Sequence, residues 1–394
     1  MELHQEFTLR RNKIKMSVYD ITPIQIELQN EDSKHTTKEK YRILELFSGI
    51  GGMRFSFDAA GIPYEIVAAI DVNPVVNDIY CHNFSSCGHS QKNILSFTTT
   101  EIESMNLDII TMSPPCQPFT RVGLKKDVQD ARSSSFLHIL NILNHLQRKP
   151  MYLLIENVQG FESSEARNLL IETIKKSGYR YQEFLLSPQD FGIPNSRLRY
   201  YLIAKAKGAR FSFTESQQVL HSFPDTISSW KFRCRKCQLM TTGKDNFCPL
   251  KHFLEERSTE YFESYLVPDS VLLKYWSVFD IVSEESHNSC CFTKAYQRYA
   301  QGTGSILLSC RYSDVDSIFE KVVKSDNVET QLFLLRTLKL RYFTPKEIAN
   351  LMCFPDNFSF PPTVNVKQMY KSLGNSLNVF VVSRLIKLLF QTRD

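Results

Sequence analysis

The mostly apolar run Leu107–Met112 is stopped at once by Ser113-Pro114-Pro115-Cys116-Gln117-Pro118-Phe119, and this junction constrains the fold more than any other stretch. A short run that is apolar on both faces reads as a central strand of a parallel sheet. Two prolines cannot continue a hydrogen-bonded ladder, so the strand ends there. A cysteine follows on a stiff turn. In open α/β sheets, ligands collect outside the carboxyl ends of the strands. Cys116 therefore has two readings, a presented nucleophile or a small buried thiol beside a structural turn. The other strand ends have to decide between them.

The same pattern recurs along the first half of the chain. Arg42–Phe47 reads as a strand, Ser48-Gly49-Ile50-Gly51-Gly52 as a glycine turn and Met53–Ala60 as a helix. Glycines there let the backbone approach a ligand. A second strand, Tyr64–Ile70, ends in Asp71, at the offset of about 20 residues where an acid holds a ribose diol in nucleotide-type folds. Pro74–Asn83 reads as a helix, Asn93-Ile94-Leu95 as a weak strand, and Ser133–Leu146 as a helix with one apolar stripe. Met151–Ile155 is a buried strand that ends in Glu156-Asn157-Val158, which puts a carboxylate at the sheet edge that carries Cys116. Phe161–Ser177 follows as a helix, and Tyr179–Leu186 and Tyr200–Ala206 as the last two strands. The connection between them carries Arg197 and Arg199, whose alternate spacing points both side chains the same way on an extended segment. This is a doubly wound α/β layer.

Around this layer the chain changes character. Residues 1–39 are polar, mixed in charge and without a sustained period, and are expected to be a disordered tail. Thr120–Asp130 is polar and suits a mobile loop over the site or, equally, a plain surface loop. From about residue 208 the periodicity weakens, so 40–207 is taken as the first part of the catalytic domain and 208–338 as a smaller, irregular one. Within the latter, Cys234, Cys237, Cys248 and His252 have the spacing C-x2-C-x10-C-x3-H, close to that of a zinc knuckle. An insertion with thiols and no metal fits the same residues. Cys290-Cys291-Phe292-Thr293-Lys294 opens a stretch of basic and aromatic residues suited to stacking with single-stranded nucleic acid. Thr344-Pro345 starts a helix as N-cap and first turn. Gly374-Asn375-Ser376 precedes an apolar helix, Val379–Leu389, expected to return residues 339–394 to the catalytic domain.

The totals exclude little but set the frame. A chain of 394 residues can bury two or three cores. Its charge of +5 permits an acidic partner. No uninterrupted apolar run is long enough to span a bilayer. Residues 1–20 hold Arg10, Arg11, Lys13 and Lys15 without an apolar core, so no secretory signal is expected. With ten cysteines, this predicts reduced thiols in the cytoplasm, with the nucleus as a second location.

Phe47-Ser-Gly-Ile-Gly-Gly52, Pro114-Pro-Cys-Gln117, Glu156-Asn-Val158, Arg197-Leu-Arg199 and Gly374-Asn-Ser376 together resemble the ordered motifs of cytosine-5 methyltransferases, from residue 41 to 390. Met112–Thr120, Cys291-Phe-Thr-Lys294 with Tyr296 and Gly302-Thr-Gly-Ser305, and Leu340–Ala349 resemble the branch that methylates tRNA. The resemblance implies a Rossmann-like class I fold that uses S-adenosylmethionine, with a smaller target-recognition domain. It implies a monomer acting on cytosine-38 in the anticodon loop of tRNA(Asp), with weak DNA binding as a further property. A DNA cytosine-5 methyltransferase and a non-catalytic RNA-binding protein are the alternatives. Cys116, Glu156, Arg197 and Arg199 are the implied catalytic residues. The implied cofactor contacts are Ile50, Gly51, Gly52, Asp71, Ile94, Leu95, Ser113, Asn375 and Ser376. RNA contacts are expected at Arg121, Arg132, Lys294 and Lys371. The family needs no metal, so no metal ligand is assigned. Two features depart from the common pattern, the tail and the Cys234–His252 segment, and Gln159 stands where relatives often have lysine.

The chemistry of the residues agrees with that resemblance. Carbon 5 of cytosine is a poor nucleophile until a thiolate adds at carbon 6. Cys116 can supply the thiolate, held ionised by arginine. A carboxyl kept protonated by burial can hydrogen-bond N3, a role open to Glu156. Arg197 and Arg199 can bind the base carbonyl and the phosphate. No residue stands out as the base that removes the carbon 5 proton.

Overall fold

A seven-stranded sheet in the order β3-β2-β1-β4-β5-β7-β6 forms the centre of the protein. The computed structural model describes residues 39–85, 88–115, 133–206, 208–224, 232, 234, 248–310 and 315–391. The tail expected over 1–39 and the loop expected over Thr120–Asp130 therefore fall outside the described residues, save Glu39. The described chain runs β1 (Tyr41–Leu46), α1 (Gly52–Ala60), β2 (Tyr64–Ile70), α2 (Pro74–Asn83), β3 (His89–Ser90), α3 (Thr99–Ser104) and β4 (Ile109–Met112). It continues through α4 (Ser134–His145), β5 (Tyr152–Val158), α5 (Glu165–Lys176), β6 (Arg180–Leu186) and β7 (Arg199–Lys205). A more irregular part contains α6 (Thr259–Glu263), α7 (Asp269–Tyr275), β8 (Ile281–Val282), β9 (Ile306–Leu308), α8 (Val315–Lys324) and α9 (Val328–Thr337). Then come β10 (Leu340–Tyr342), α10 (Pro345–Leu351), α11 (Val366–Asn375) and α12 (Val379–Phe390).

The apolar strands sit where their composition demands. Strands β1, β4 and β5 pair in parallel at the centre, and Ile43, Leu44, Ile109, Leu153, Leu154 and Ile155 are fully buried. A strand with both faces covered needs no alternation of polar residues. One face is covered by α1 and α12, whose Met53, Phe57, Val382, Leu385 and Ile386 share a core with Ile43 and Leu154. The other carries α4 and α5, where Phe136, Ile139, Leu140 and Leu170 pack on Leu44, Ile110 and Leu153. Each such side chain contributes roughly 1.5–3 kcal/mol of burial. Strand β7 enters antiparallel between β5 and β6, because a hairpin and not a crossover helix joins the last two strands.

The chain reverses its winding between β1 and β4. That is the switch point, where the strand ends leave a crevice for ligands. Strand β2 leaves β1 on one side and β4 leaves it on the other. The smaller sheet has the order β10-β9-β8. Its third strand, Leu340–Tyr342, comes from the segment that returns to the first layer. Arg341 and Glu347 lock that return: Arg341 Nη1 donates to Glu347 Oε2 at 2.8 Å and Nη2 to Oε1 at 2.7 Å, with both side chains buried. Val366–Phe390 is long and apolar enough to cross a membrane, but most of it is buried within the protein and it breaks into two helices at Ser376.

Three local expectations change. Asn93-Ile94-Leu95 is not a strand: Asn93 Oδ1 accepts the Leu95 N–H at 3.1 Å and caps a 3-10 turn, Ile94–Ser96. An asparagine side chain here outcompetes the ladder for the backbone. The strand at this edge of the sheet is instead His89–Ser90, paired with Ala69–Ile70. The helix expected over 161–177 is a 3-10 turn, Phe161–Ser163, followed by α5. Ser164 divides them, since its side chain accepts from Arg167 N. Finally, Glu156-Asn157-Val158 does not follow β5 but belongs to it, because β7 goes on pairing as far as Val158 opposite Arg199. Glu156 is therefore buried and not exposed at the edge, with 8% of its surface accessible.

Candidate active site

The glycine loop between β1 and α1 is built by its neighbours. Phe47 has φ of +56° and Gly49 of +53°, so the backbone turns sharply at the strand's end. A phenylalanine in that region is strained. The Gly51 N–H donates to Ser48 O at 3.0 Å, closing the turn. Asp71 secures the loop from β2: its Oδ2 accepts the Gly49 N–H at 3.1 Å and its Oδ1 the Asn73 N–H at 2.9 Å. A carboxylate has about four acceptor sites, so two remain for a diol.

The glycines are not equivalent. A Cβ on Gly51 would fall 2.4 Å from the Phe84 ring, and one on Gly52 would fall 2.9 Å from Leu377 and 3.1 Å from Ser376 Oγ. Those two let the loop pack against α2 and the start of α12. A Cβ on Gly49 meets nothing within 4 Å, so this is where a ligand can approach the backbone. Helix α1 begins with no side-chain cap and no acid in its first turn. Its first N–H groups and positive end suit a carboxylate. Ile94 is buried, whereas Leu95 is largely exposed, as is Val72 at the end of β2. These residues together can hold an amino acid joined to a nucleoside.

On the other side of the switch point, Ser113 lies opposite Glu156, one step past the last pair of the β4–β5 register, Met112–Ile155. The Ser113 N–H donates to Leu46 O at 3.4 Å. Asn157 Nδ2 donates to Pro114 O at 3.5 Å, which pins the turn that leads to Cys116. Cys116, Arg121 and Arg132 lie outside the described residues.

Glu156 Oε1 is 3.7 Å from Arg199 Nε. Burial pushes the Glu156 carboxyl above the usual range, and Arg199 and then Arg197 oppose that shift. Arg197 and Arg199 do face the same way. Arg197 Nη1 is 3.5 Å and Arg199 Nη2 3.7 Å from the sulfur of Cys291. Burial works against the ionised Cys291, yet the two guanidinium groups outweigh it and hold the thiol below its ordinary value. Arg197 also donates to the carbonyls of Phe292 and Gly374, both at 3.2 Å, and of Ser376. It is therefore a positioning residue that ties β7 to the smaller part and to the end of α11. Arg199 is less deeply buried, and its Nη1 donates to Leu198 O at 2.8 Å.

Gly374 fixes the last side of the site. A Cβ there would fall 2.1 Å from Lys294 N and 2.2 Å from Thr293 C. The segment Cys291–Lys294 thus lies directly on α11. Lys294 is exposed, and Lys371, three residues before Gly374 on the same helix, is exposed too. Asn375 is exposed and Ser376 half-buried beside the glycine loop. Sequence reasoning gave no individual role to Cys291, Asn157 or Val72. Only Val72 had a usable signal, an apolar residue directly after the strand-end acid. The contacts of Cys291 and Asn157 join segments 94 and 43 residues apart.

Known proteins carry the same organisation. Residues 41–391 match the family model described as C-5 cytosine-specific DNA methylase. The human protein named tRNA (cytosine(38)-C(5))-methyltransferase is 44% identical over 393 residues, covering 90% of this chain and all of its own length. A Dictyostelium discoideum protein named DNA (cytosine-5)-methyltransferase is 39% identical, with 90% of this chain and 96% of its own covered. A crystal structure of a Spodoptera frugiperda DNMT2 mutant superimposes with a TM-score of 0.78 at 41% identity, over 89% of this chain and 100% of that one.

Proposed function

The chain belongs to the C-5 cytosine-specific DNA methylase family and is a cytosine-5 methyltransferase that uses S-adenosylmethionine, and we propose that its substrate is the anticodon-loop cytosine-38 of tRNA, tRNA(Asp) among them. The observation that supports this reading best is the buried Glu156 beneath Arg199, directly across from the turn that leads to Cys116. A protonated carboxyl there can donate to N3 of a cytosine whose ring gains electrons. Relatives named tRNA (cytosine(38)-C(5))-methyltransferase, the human one at 44% identity, favour tRNA over duplex DNA. A loop base is already unpaired, so little stacking energy opposes its entry.

In this reading Cys116 adds to carbon 6 of the cytosine and leaves when the carbon 5 proton is removed. Glu156 orients the base and supplies the hydrogen bond at N3. Arg199 takes the carbonyl oxygen, and Arg197 holds the frame in place. S-adenosylmethionine, once bound, supplies an electrophilic methyl group. Gly49 and the start of α1 would hold its amino-acid part, Asp71 its ribose, and Val72 and Leu95 its adenine. The same reading divides the chain into catalytic parts at 40–207 and 339–394 and a target-recognition part at 208–338.

Bisulfite sequencing of total tRNA and of duplex DNA, each incubated with the protein and S-adenosylmethionine, tests the substrate. Conversion-resistant cytosine at position 38 of tRNA is expected; resistance in duplex DNA alone would overturn the assignment. In the same assay Cys116→Ala should lower the rate by ~10³-fold or more while cofactor binding persists. A rate within tenfold of the parent would exclude the adduct.

A further inference from the structure

Cys234, Cys248 and His252 lie apart from the chemistry just described. Their ligand atoms are all within 4.8 Å of one another, and Cys234 Sγ stands 3.3 Å from His252 Nδ1. Both cysteines are buried, at 4% and 2% exposure. A tetrahedral site with Zn–S near 2.3 Å and Zn–N near 2.0 Å needs ligand atoms roughly 3.3–3.8 Å apart. One pair already meets that separation, and the third atom lies no more than 4.8 Å from either of them. Sulfur with imidazole selects zinc over magnesium or calcium, which take oxygen.

The three residues are also held from outside. The Cys248 N–H donates to Gly192 O at 3.3 Å, and the Phe232 N–H donates to Phe191 O at 3.1 Å. His252 closes a 3-10 turn, Leu250–His252, that is anchored by the Leu250 N–H to Ser286 O at 2.9 Å. Leu250 is fully buried in the same cluster as both cysteines and Ile193. The backbone thus brings two thiols and an imidazole together from three separately fixed points.

We propose that Cys234, Cys248 and His252 hold a structural zinc ion that ties this insertion to the Phe191–Gly192 turn, from which the chain runs on to Arg197. The Cys237 of the C-x2-C spacing lies outside the described residues, and the assignment stands on the other three. Zinc binding releases the thiol protons, so occupancy falls at low pH.

Mass-spectrometric metal analysis of the full-length protein, purified without chelator, tests this directly. About one zinc per chain is expected, falling to under about a tenth in Cys234→Ser and in His252→Ala. Cys81→Ser, away from the cluster, and Cys116→Ala should both keep the metal, which separates this question from the methyl-transfer reading. Trace zinc in the parent protein would overturn the proposal, as would full zinc in both ligand variants. If a ligand variant fails to fold, the parent protein decides alone. Reconstituted with Co²⁺, it should show the thiolate charge-transfer and tetrahedral ligand-field bands, and added Zn²⁺ should abolish them. Absence of those bands would likewise overturn it.

Discussion

Glu156 shows what burial does to a single carboxyl group. Removal from water raises its pKa, and Arg199 and Arg197 pull the other way without reversing the shift. In the proposed function a protonated Glu156 donates to the base, so the sign follows: activity is expected while the proton is held and falls as pH rises through the raised value. Glu156→Gln keeps a donor that never ionises. The rate of this variant should fall about 10²–10³-fold through lost tuning, and its alkaline limb should flatten. A pH–rate profile checks this, and an unchanged alkaline limb in the variant would assign that limb to another group. The strand-end positions of Asp71 and Ser113 were legible in the sequence, because an apolar run that stops on a polar residue marks a strand's end, whereas Glu156 lies inside β5. The division of labour between Arg197 and Arg199 was not. Alternate spacing gives a shared direction, but only the fold reveals that Arg197 spends its N–H groups on the carbonyls of Phe292, Gly374 and Ser376.

Elements were legible where local chemistry and tertiary packing agree. Thr344-Pro345 with Glu347 forms a capping box at the start of α10, as its residues predict. At Asn93 and Ser164 the side chains redirected the backbone against the apolar pattern. Gly374 shows the opposite conflict. Within a helix, alanine is preferred to glycine by about 1 kcal/mol. Here a Cβ would meet backbone atoms of Thr293 and Lys294 at 2.2 Å or less, and backbone cannot rotate away. Overpacking of this kind costs about 1–3 kcal/mol or more, so the clash wins. Gly374→Ala should therefore lower the melting temperature. It should also lower kcat by pushing α11, with its carbonyl contacts, away from Arg197. A variant as stable as the parent would show that the two segments separate freely.

Across the whole molecule, the cofactor loop, the arginine pair and the exposed Lys294 and Lys371 converge from distant parts of the chain. Lys294→Ala should weaken tRNA binding, and the slope of log affinity against log salt should shrink by about one, as for one lost phosphate contact. S-adenosylmethionine affinity should not change. Equal slopes in filter-binding titrations would leave Lys294 as a solvated surface residue. The packing of α1 against α12 also sets a timetable. Gly52, at the start of α1, needs Leu377 and Ser376 over it, yet those residues come long after it in the chain. Contacts so far apart in the chain form slowly and leave apolar surface open in the meantime. On the ribosome, the strands of the central sheet must wait, with the face that α12 will cover still bare, until Val379–Phe390 has been translated. Chaperone dependence during synthesis, and an inability of the strands to fold when expressed without α12, are the outcomes expected of a sheet whose one face is completed by so distant an element.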